Sequence, residues 1–401
     1  MTRSADYTIQ GFLYQFNKTA LEIMNAKDDD VITIEGIIED IEVVSAESIK
    51  AIQCKYHEAS SSFTGSAIYK PLLQMLKHFF VNQTATIRYV LFAYFPGTET
   101  SPPAVGRTTL EDALSSKDNE LKRYIEGIPK DIDLDRFLGR FTMEFGKSYQ
   151  DITDQVAKAL EANGFPSGDI DTLAYPNAIH LIAALSVKHD PANRQITKKK
   201  FISDLKAIRT TAISRWTLAL KSRKKLLEAR RKQLKKHLDK NTRLRYIIID
   251  PSNIKDYDAE IVLFIADYID KYHFKLSHIS TPTLCLCAKR AQVQEIQRRL
   301  FAKEIVAEDG YIGGQFQESR FFREPMLSKK SGAKIQREFA IRLLSWDDHR
   351  IVLNDRKCDD LFIIGEPDCS LLDTVDVNVE RLSGATMKEI KYIMGVSDVY
   401  E

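Results

Sequence analysis

No apolar run in this 401-residue sequence reaches the ~18 to 20 residues that a membrane-spanning helix requires. The longest stretches, around Tyr89 to Phe95 and Tyr246 to Ile249, have the length of buried strands. A membrane protein is therefore not expected. The first thirty residues also lack a basic start followed by an apolar core and a small-residue cleavage site, because Asp6, Glu22 and Asp28 to Asp30 interrupt any such pattern. A cytoplasmic location is the expectation. Cysteine is scarce, and Cys54, Cys285, Cys287, Cys358 and Cys369 are scattered and odd in number, the pattern of reduced core thiols. Cys285-x-Cys287 has no second ligand pair, so buried thiols are the first reading and zinc the second. There is no Gly-x-x-x-x-Gly-Lys-Ser/Thr loop, which argues against ATP hydrolysis by this chain. Internal repeats and low-complexity segments are absent as well.

Net charge is nearly absent too, with 58 Lys and Arg against 56 Asp and Glu. The total conceals a strong asymmetry. Lys198 to Arg245 holds 18 cations and three acids, a net +15, and the remainder of the chain carries −13. With 44% hydrophobic residues the chain is long enough for two or three domains with real cores, which excludes a disordered or fibrous protein.

The pattern along the chain predicts an α/β fold. Leu13, Phe16, Ala20, Ile23 and Met24 recur at helical spacing. Three β-rich runs follow, Val31 to Ile37, Asp40 to Val44 and Ile49 to His57, then a helix over Ala67 to Val81 and a strand over Thr86 to Phe95. The N-terminal core thus reads α-β-β-β-α-β. A loop over Thr98 to Thr109 and a helical extension (Leu121 to Ile125, Tyr149 to Leu160, Ala174 to Val187), with a strand at Phe137 to Phe145, complete a domain spanning 1–197. The segment 198–245 reads as a basic helical arm, one continuous helix or two, with no Gly or Pro between Ala192 and Pro251. The remainder, 246–401, reads as a C-terminal α/β domain for regulation or assembly, with strands Tyr246 to Ile249, Thr283 to Cys287, Phe339 to Leu344 and Leu361 to Ile364, and helices Ala259 to Tyr272 and Ala291 to Phe301. Gly310-Tyr-Ile-Gly313-Gly314 reads as a turn.

The chemistry concentrates in Glu35 to Val43 and Ile52 to His57. Strand alternation puts Asp40 and Glu42 on one face, and Gln53, Lys55 and His57 on one face of the next strand. If these strands are neighbours, acid, amide and ammonium converge. Phosphodiester hydrolysis calls for a hard divalent cation on oxygen ligands and a positive group for the developing charge. Glu35, Asp40 and the Gln53 carbonyl are candidate oxygen donors, and Lys55 is the candidate cation.

Asp40 followed by Gln53-x-Lys55, after a helix bearing Tyr14-Gln15 and a Glu35 in the first strand, resembles the PD-(D/E)xK restriction-endonuclease superfamily. Within it the resemblance is to the Mrr-like nuclease modules of bacterial anti-phage effectors, in cyclic-oligonucleotide defence and in Lamassu-type systems. The resemblance implies Mg²⁺, with Mn²⁺ as a substitute, on Asp40, Gln53 and Glu35. It implies Lys55 as the water-positioning or charge-stabilising group and Gln15 as a support. Glu39 stands where the family has proline, and Gln53 where it often has an acid, a loss of charge that Glu35 or Glu42 would compensate. Glu42 reads either as a ligand or as a solvated strand residue. His57 reads either as a phosphate contact or as a strand-end histidine bonded to its neighbours.

The cations Lys224, Lys225, Arg230, Arg231, Lys232 and Lys235 are candidates for sequence-independent contacts to DNA phosphates, or for docking onto an acidic partner. The expected activity is an endonuclease of double-stranded DNA with little sequence specificity, held inactive until a partner, a ligand or self-association triggers it. The resemblance further implies an SMC-like ATPase and a small accessory protein as partners. The alternatives are a catalytically inactive nucleic-acid-binding or scaffolding subunit, and an RNA target.

Overall fold

The computed structural model describes residues 3–36, 38–57, 63–97, 105–240, 242–329 and 335–400. Ile37, at the end of the first expected strand, and residues 98–104 of the expected loop lie outside them. The chain divides into two compact units, Met1–Arg209 and Thr210–Glu401. The boundary falls inside the segment expected to form a separate basic arm.

In the first unit, α1 (Arg3–Asn25) precedes β1 (Val31–Ile34), β2 (Ile41–Val44), β3 (Ile49–Tyr56), α2 (Tyr69–Val81), β4 (Ile87–Tyr94) and β5 (Phe141–Phe145). The six-stranded sheet runs β5-β4-β3-β2-β1-β6, where β6 is Gln195–Thr197. β1, β2 and β3 form an antiparallel meander, while β4 and β5 add in parallel. The sheet is covered on both faces. Ala51, Tyr89, Leu91 and Ala93 pack with Leu72, Met75, Leu76 and Phe79 of α2. On the opposite face Tyr14 of α1 meets Tyr56, Phe92 and Tyr94, and its hydroxyl donates to the Lys147 carbonyl at 2.9 Å. Period-2 alternation in β3 therefore sends odd-numbered side chains, Gln53 and Lys55 among them, to the α2 side.

The basic segment is not a continuous helix. Its pieces are Lys198–Ala207, Arg215–Leu218 and Arg223–Leu238. Thr210, Thr211 and Ile213 are β-branched and weak helix formers. Ile213 bridges to Leu382, and the Thr211 amide donates to the Gln233 side-chain oxygen at 3.0 Å. Ser214 and Thr217 then cap the next turn reciprocally. Capping and tertiary contacts interrupt a segment that contains no Gly or Pro.

The second unit is built on an all-parallel sheet in the order Asn378–Leu382, Asp360–Ile364, Arg245–Ile249, Thr283–Leu286, Ile341–Ser345, Ala307–Glu308. Ile247 and Ile249 pack into one core with helices Tyr257–Tyr272 and Met387–Ile393, and Tyr246 and Ile248 into another with Trp346 and Phe321. Burial on both faces explains the unbroken apolar runs that marked these strands in the sequence. The edge strand Asn378–Leu382 carried no such run and was not expected. Gly313 and Gly314, both at positive φ, make the turn between Tyr311–Ile312 and Gln315–Phe316. All five cysteines are unpaired, and Cys54, Cys285 and Cys358 are buried. Among the described residues no helix is long and apolar enough to cross a membrane.

Candidate active site

β2 and β3 are antiparallel neighbours with Ile41 opposite Ile52, and Asp40 immediately precedes β2 at that end of the pair, next to Gln53 and Cys54 of β3. The Asp40 carboxylate accepts the backbone N–H of Cys54 at 2.8 Å, which fixes it at the mouth of the strand pair. Gln53 is 7% exposed, and its side-chain oxygen has no hydrogen-bond partner among the described residues. A buried carbonyl oxygen without a donor is costly unless something else satisfies it. Lys55 follows on the same face of β3. Its ammonium acts electrostatically on Glu35, Glu39 and Asp40 without forming a direct ion pair among the described residues.

Glu35 is held from three sides. Its amide donates to the Asp40 carbonyl at 2.8 Å, its carbonyl accepts Arg194 Nη1 at 2.6 Å, and its carboxylate accepts Gln15 Nε2 at 2.7 Å. These contacts hold it at φ 49°, a left-handed conformation that a non-glycine residue keeps only when its surroundings impose it. Gln15 thus reaches the Glu35 carboxylate from α1.

The acids crowd one another. Burial, and then repulsion from Asp40, push the Glu39 carboxyl up to about 8. Burial also raises Asp40 against the pull of the Cys54 amide and Lys55, and raises Glu35, with Asp40 adding to the effect. Because the folded state holds a proton on Glu39 that the unfolded chain releases near its ordinary value, stability falls as pH rises from about 4.5 to about 8 and levels off above that. Glu39→Gln is accordingly expected to gain on the order of 2 kcal/mol at pH 8.5 in EDTA and almost nothing at pH 4.5, at about 1.4 kcal/mol per pKa unit discounted for relaxation. Urea denaturation at the two pH values measures this, and an equal gain at both would remove the assignment.

The structure distinguishes between the two readings given for each of two candidates. Glu42 is buried rather than solvated. One of its carboxyl oxygens accepts the Ile38 amide at 2.5 Å, and a Cβ at Gly36 would lie 2.2 Å from the same oxygen. Glu42 therefore props the loop that presents Glu39 and Asp40, and Gly36 has to be glycine for that contact. His57 stacks on Phe95 with centroids 4.5 Å apart, its amide bonds the Tyr94 carbonyl at 3.0 Å, and burial lowers its pKa. This is a packed, neutral strand-end histidine.

Glu39 and Arg194 were missed as site residues. Glu39 was legible only as a substituted proline. Arg194 lies 159 residues from Glu35 and reaches it because β6 pairs with β1.

Of the six basic candidates, Lys224, Lys225, Lys232 and Lys235 are exposed. Arg230 is not. It is 3% exposed and its guanidinium bonds the buried Glu380. Arg231 bonds Asp398 at 2.5 Å and lies over the Tyr392 ring at 4.5 Å. The helix buries Leu226, Leu227, Leu234 and Leu238, and Arg230 falls on that inward face, where it meets Glu380 of the edge strand Asn378–Leu382.

Among the described residues no three His, Cys, Asp or Glu side chains are grouped to hold a metal ion. The available donors are two carboxylates and one amide oxygen, Asp40, Glu35 and Gln53. That set suits a hard cation that keeps several waters, and the mutually repelling acids and the Gln53 oxygen, without a partner among the described residues, fit such an ion.

No family model and no curated protein matches this chain. Three solved structures of the Acinetobacter baumannii Cap4 SAVED/CARF-domain containing receptor align with it, one with the cyclic trinucleotide 3'3'3'-cAAA, one with 2'3'3'-cAAA, and a third. Each alignment covers 96% of this chain and 91% of the receptor, at 11% or 12% identity and a TM-score of 0.28 or 0.29, values too low to establish a common fold.

Proposed function

We propose that this chain is a Mg²⁺-dependent endonuclease of double-stranded DNA with little sequence specificity, acting as an effector of bacterial anti-phage defence. The observation that carries the chemistry is the buried Gln53 oxygen, without a partner among the described residues, on the strand beside Asp40, with Glu35 and Lys55 at the same mouth. The defence setting rests on the sequence resemblance to Mrr-like effector modules.

Asp40, Glu35 and Gln53 would hold the ion. When bound, it polarises the phosphate and lowers the pKa of a coordinated water. The Cys54 amide keeps Asp40 oriented, and Gln15 and Arg194 keep Glu35 in its constrained conformation. Lys55, free of a direct ion pair among the described residues, supplies positive charge where a phosphoryl transition state accumulates negative charge. Glu39, protonated near neutrality, limits the negative charge that the carboxylate cluster carries.

An unspecific nuclease needs restraint in its host. An inactive resting state released by a partner, a ligand or self-association therefore belongs to this reading, with an SMC-like ATPase and a small accessory protein as the partner types. Incubating the protein, alone and with such partners, with supercoiled plasmid and Mg²⁺ tests the assignment. Cleavage is expected to stop in EDTA and to fall by at least ~10²-fold in Lys55→Ala, the size of loss usual for one transition-state-stabilising group. Undiminished cleavage by Lys55→Ala would refute it.

A further inference from the structure

We infer that an open groove between the Ile38 loop, the outer side of α2 and the helix Asn119–Ile125 is the track that guides the nucleic-acid backbone to the acidic site. The inference rests on the nuclease reading above and adds to it the residues that hold the flanking phosphates.

The groove has a volume of about 560 Å³, and Ile38, Gln74, Lys77, His78, Arg123 and Tyr124 form most of its lining. Three features point to a phosphate backbone. The first is position. Ile38 is two residues from Asp40, and consecutive Cα atoms are about 3.8 Å apart, so its Cα is within about 7.6 Å of the Asp40 Cα. A strand advances about 3.4 Å per nucleotide. The groove therefore begins within about two or three nucleotides of a phosphate held at Asp40. The junction is firm, because Glu42 fixes the Ile38 amide.

The second feature is charge. The site at the strand ends is acidic, yet none of the residues lining the groove is an acid, and Lys77 and Arg123 contribute two cations. Arg123 is exposed and its guanidinium lies 4.7 Å over the Tyr124 ring; on the same ring, Lys70 approaches to 5.7 Å. The ring holds the Arg123 guanidinium in place beside the groove, where its charge can meet a duplex phosphate. His78 is not counted among them, because its ring nitrogens meet Tyr89 and Asn82 at 2.8 Å and 3.0 Å.

The third feature is the fate of the cations that the sequence singled out. Arg230 and Arg231 are engaged within the second unit. Within the first unit, Arg194 is tied to the Glu35 carbonyl, while Lys77 and Arg123 line the groove.

The test is fluorescence anisotropy of the full chain with a labelled 20-base-pair duplex in EDTA, where cleavage cannot occur. Arg123→Glu alters an exposed residue. Lys77→Gln removes a charge and keeps a donor for the Glu126 carbonyl, which Lys77 Nζ meets at 3.2 Å. In the double variant the Kd is expected to rise about tenfold, and the slope of log K against log salt to flatten by about two, one for each cation withdrawn from a phosphate. Mn²⁺ titration of the same variant is expected to match the wild type, because neither residue touches the metal donors. An unchanged Kd and slope, or a wild-type chain that binds no duplex, overturns the inference while leaving metal binding and plasmid cleavage to judge the nuclease reading separately. Conversely, weaker duplex binding with a flatter salt slope and intact Mn²⁺ binding supports it even if the activating partner is absent.

Discussion

With Asn in place of Asp40, plasmid cleavage is expected to fall below detection while the melting temperature in EDTA rises. The two effects share one cause. Asp40 is largely buried beside Glu35 and Glu39, and its carboxyl is raised above its ordinary value by burial. A carboxyl raised in the folded state retains a proton that the unfolded chain releases, so folding loses stability as pH climbs from the ordinary carboxylate range through the folded pKa. Asn removes the charge and still offers an oxygen to the Cys54 amide, which meets Asp40 at 2.8 Å. It also removes the strongest donor for a divalent cation. Wild type should therefore melt higher when Mg²⁺ replaces EDTA, by RT ln(1 + [L]/Kd), and Asp40→Asn should not. Thermal scans of both proteins in the two buffers, beside the plasmid assay, measure all four quantities. A variant that melts lower in EDTA and still responds to Mg²⁺ would show that Asp40 is a structural acid. The gain in stability on losing function is the usual mark of residues retained for chemistry at the expense of the fold.

Arg230→Met is expected to cost about 3–5 kcal/mol, the range for removing one partner of a buried ion pair. The residue is 3% exposed and bonds Glu380, itself 4% exposed. Truncation leaves the carboxylate buried with no guanidinium. Two further nitrogens of Arg230 have no partner among the described residues, so the pair is imperfectly satisfied even when intact. The double variant Arg230→Met/Glu380→Leu should accordingly recover most of the loss, since a buried pair and an apolar replacement are often close in energy. Urea denaturation of the single and double variants measures this. Equal destabilisation of both would mean that the loss does not come from the stranded Glu380 carboxylate. Any fall in DNA affinity that accompanies the single change would then come from unfolding of the second unit and not from a phosphate deprived of its cation.

The two predictions bear differently on what could be read in advance. Asp40, Gln53 and Lys55 stood out because strand alternation and a two-residue spacing are local, and a meander of short strands with brief turns leaves little choice of partner. The β2–β3 register with Asp40 next to Gln53 follows from that. The same locality explains the strands Arg245–Ile249, Thr283–Leu286 and Asp360–Ile364, whose apolar runs are the signature of burial on both faces. Arg230 lay beyond such reasoning. Its place in a run of cations suggested exposure, and only the packing of its helix against the second unit's sheet turned it inward to Glu380. The short edge strands β6 and Asn378–Leu382 were missed for a related reason, since one or two buried positions leave no period to detect.

By itself the sequence determined the α/β class and the order helix, three strands, helix, strand, and it put Glu35, Asp40, Gln53 and Lys55 forward as candidates, because each depends on periodicity or spacing within about thirty residues. The tertiary structure decided the rest. It bound Glu35 to Gln15 and Arg194, turned Glu42 into a prop beneath Gly36, stacked His57 on Phe95, and divided the basic segment between two units with one arginine buried. These outcomes depend on contacts between residues distant in the chain, and burial, which sets both the charge state of Glu39 and the pairing of Arg230, exists only once those contacts have formed.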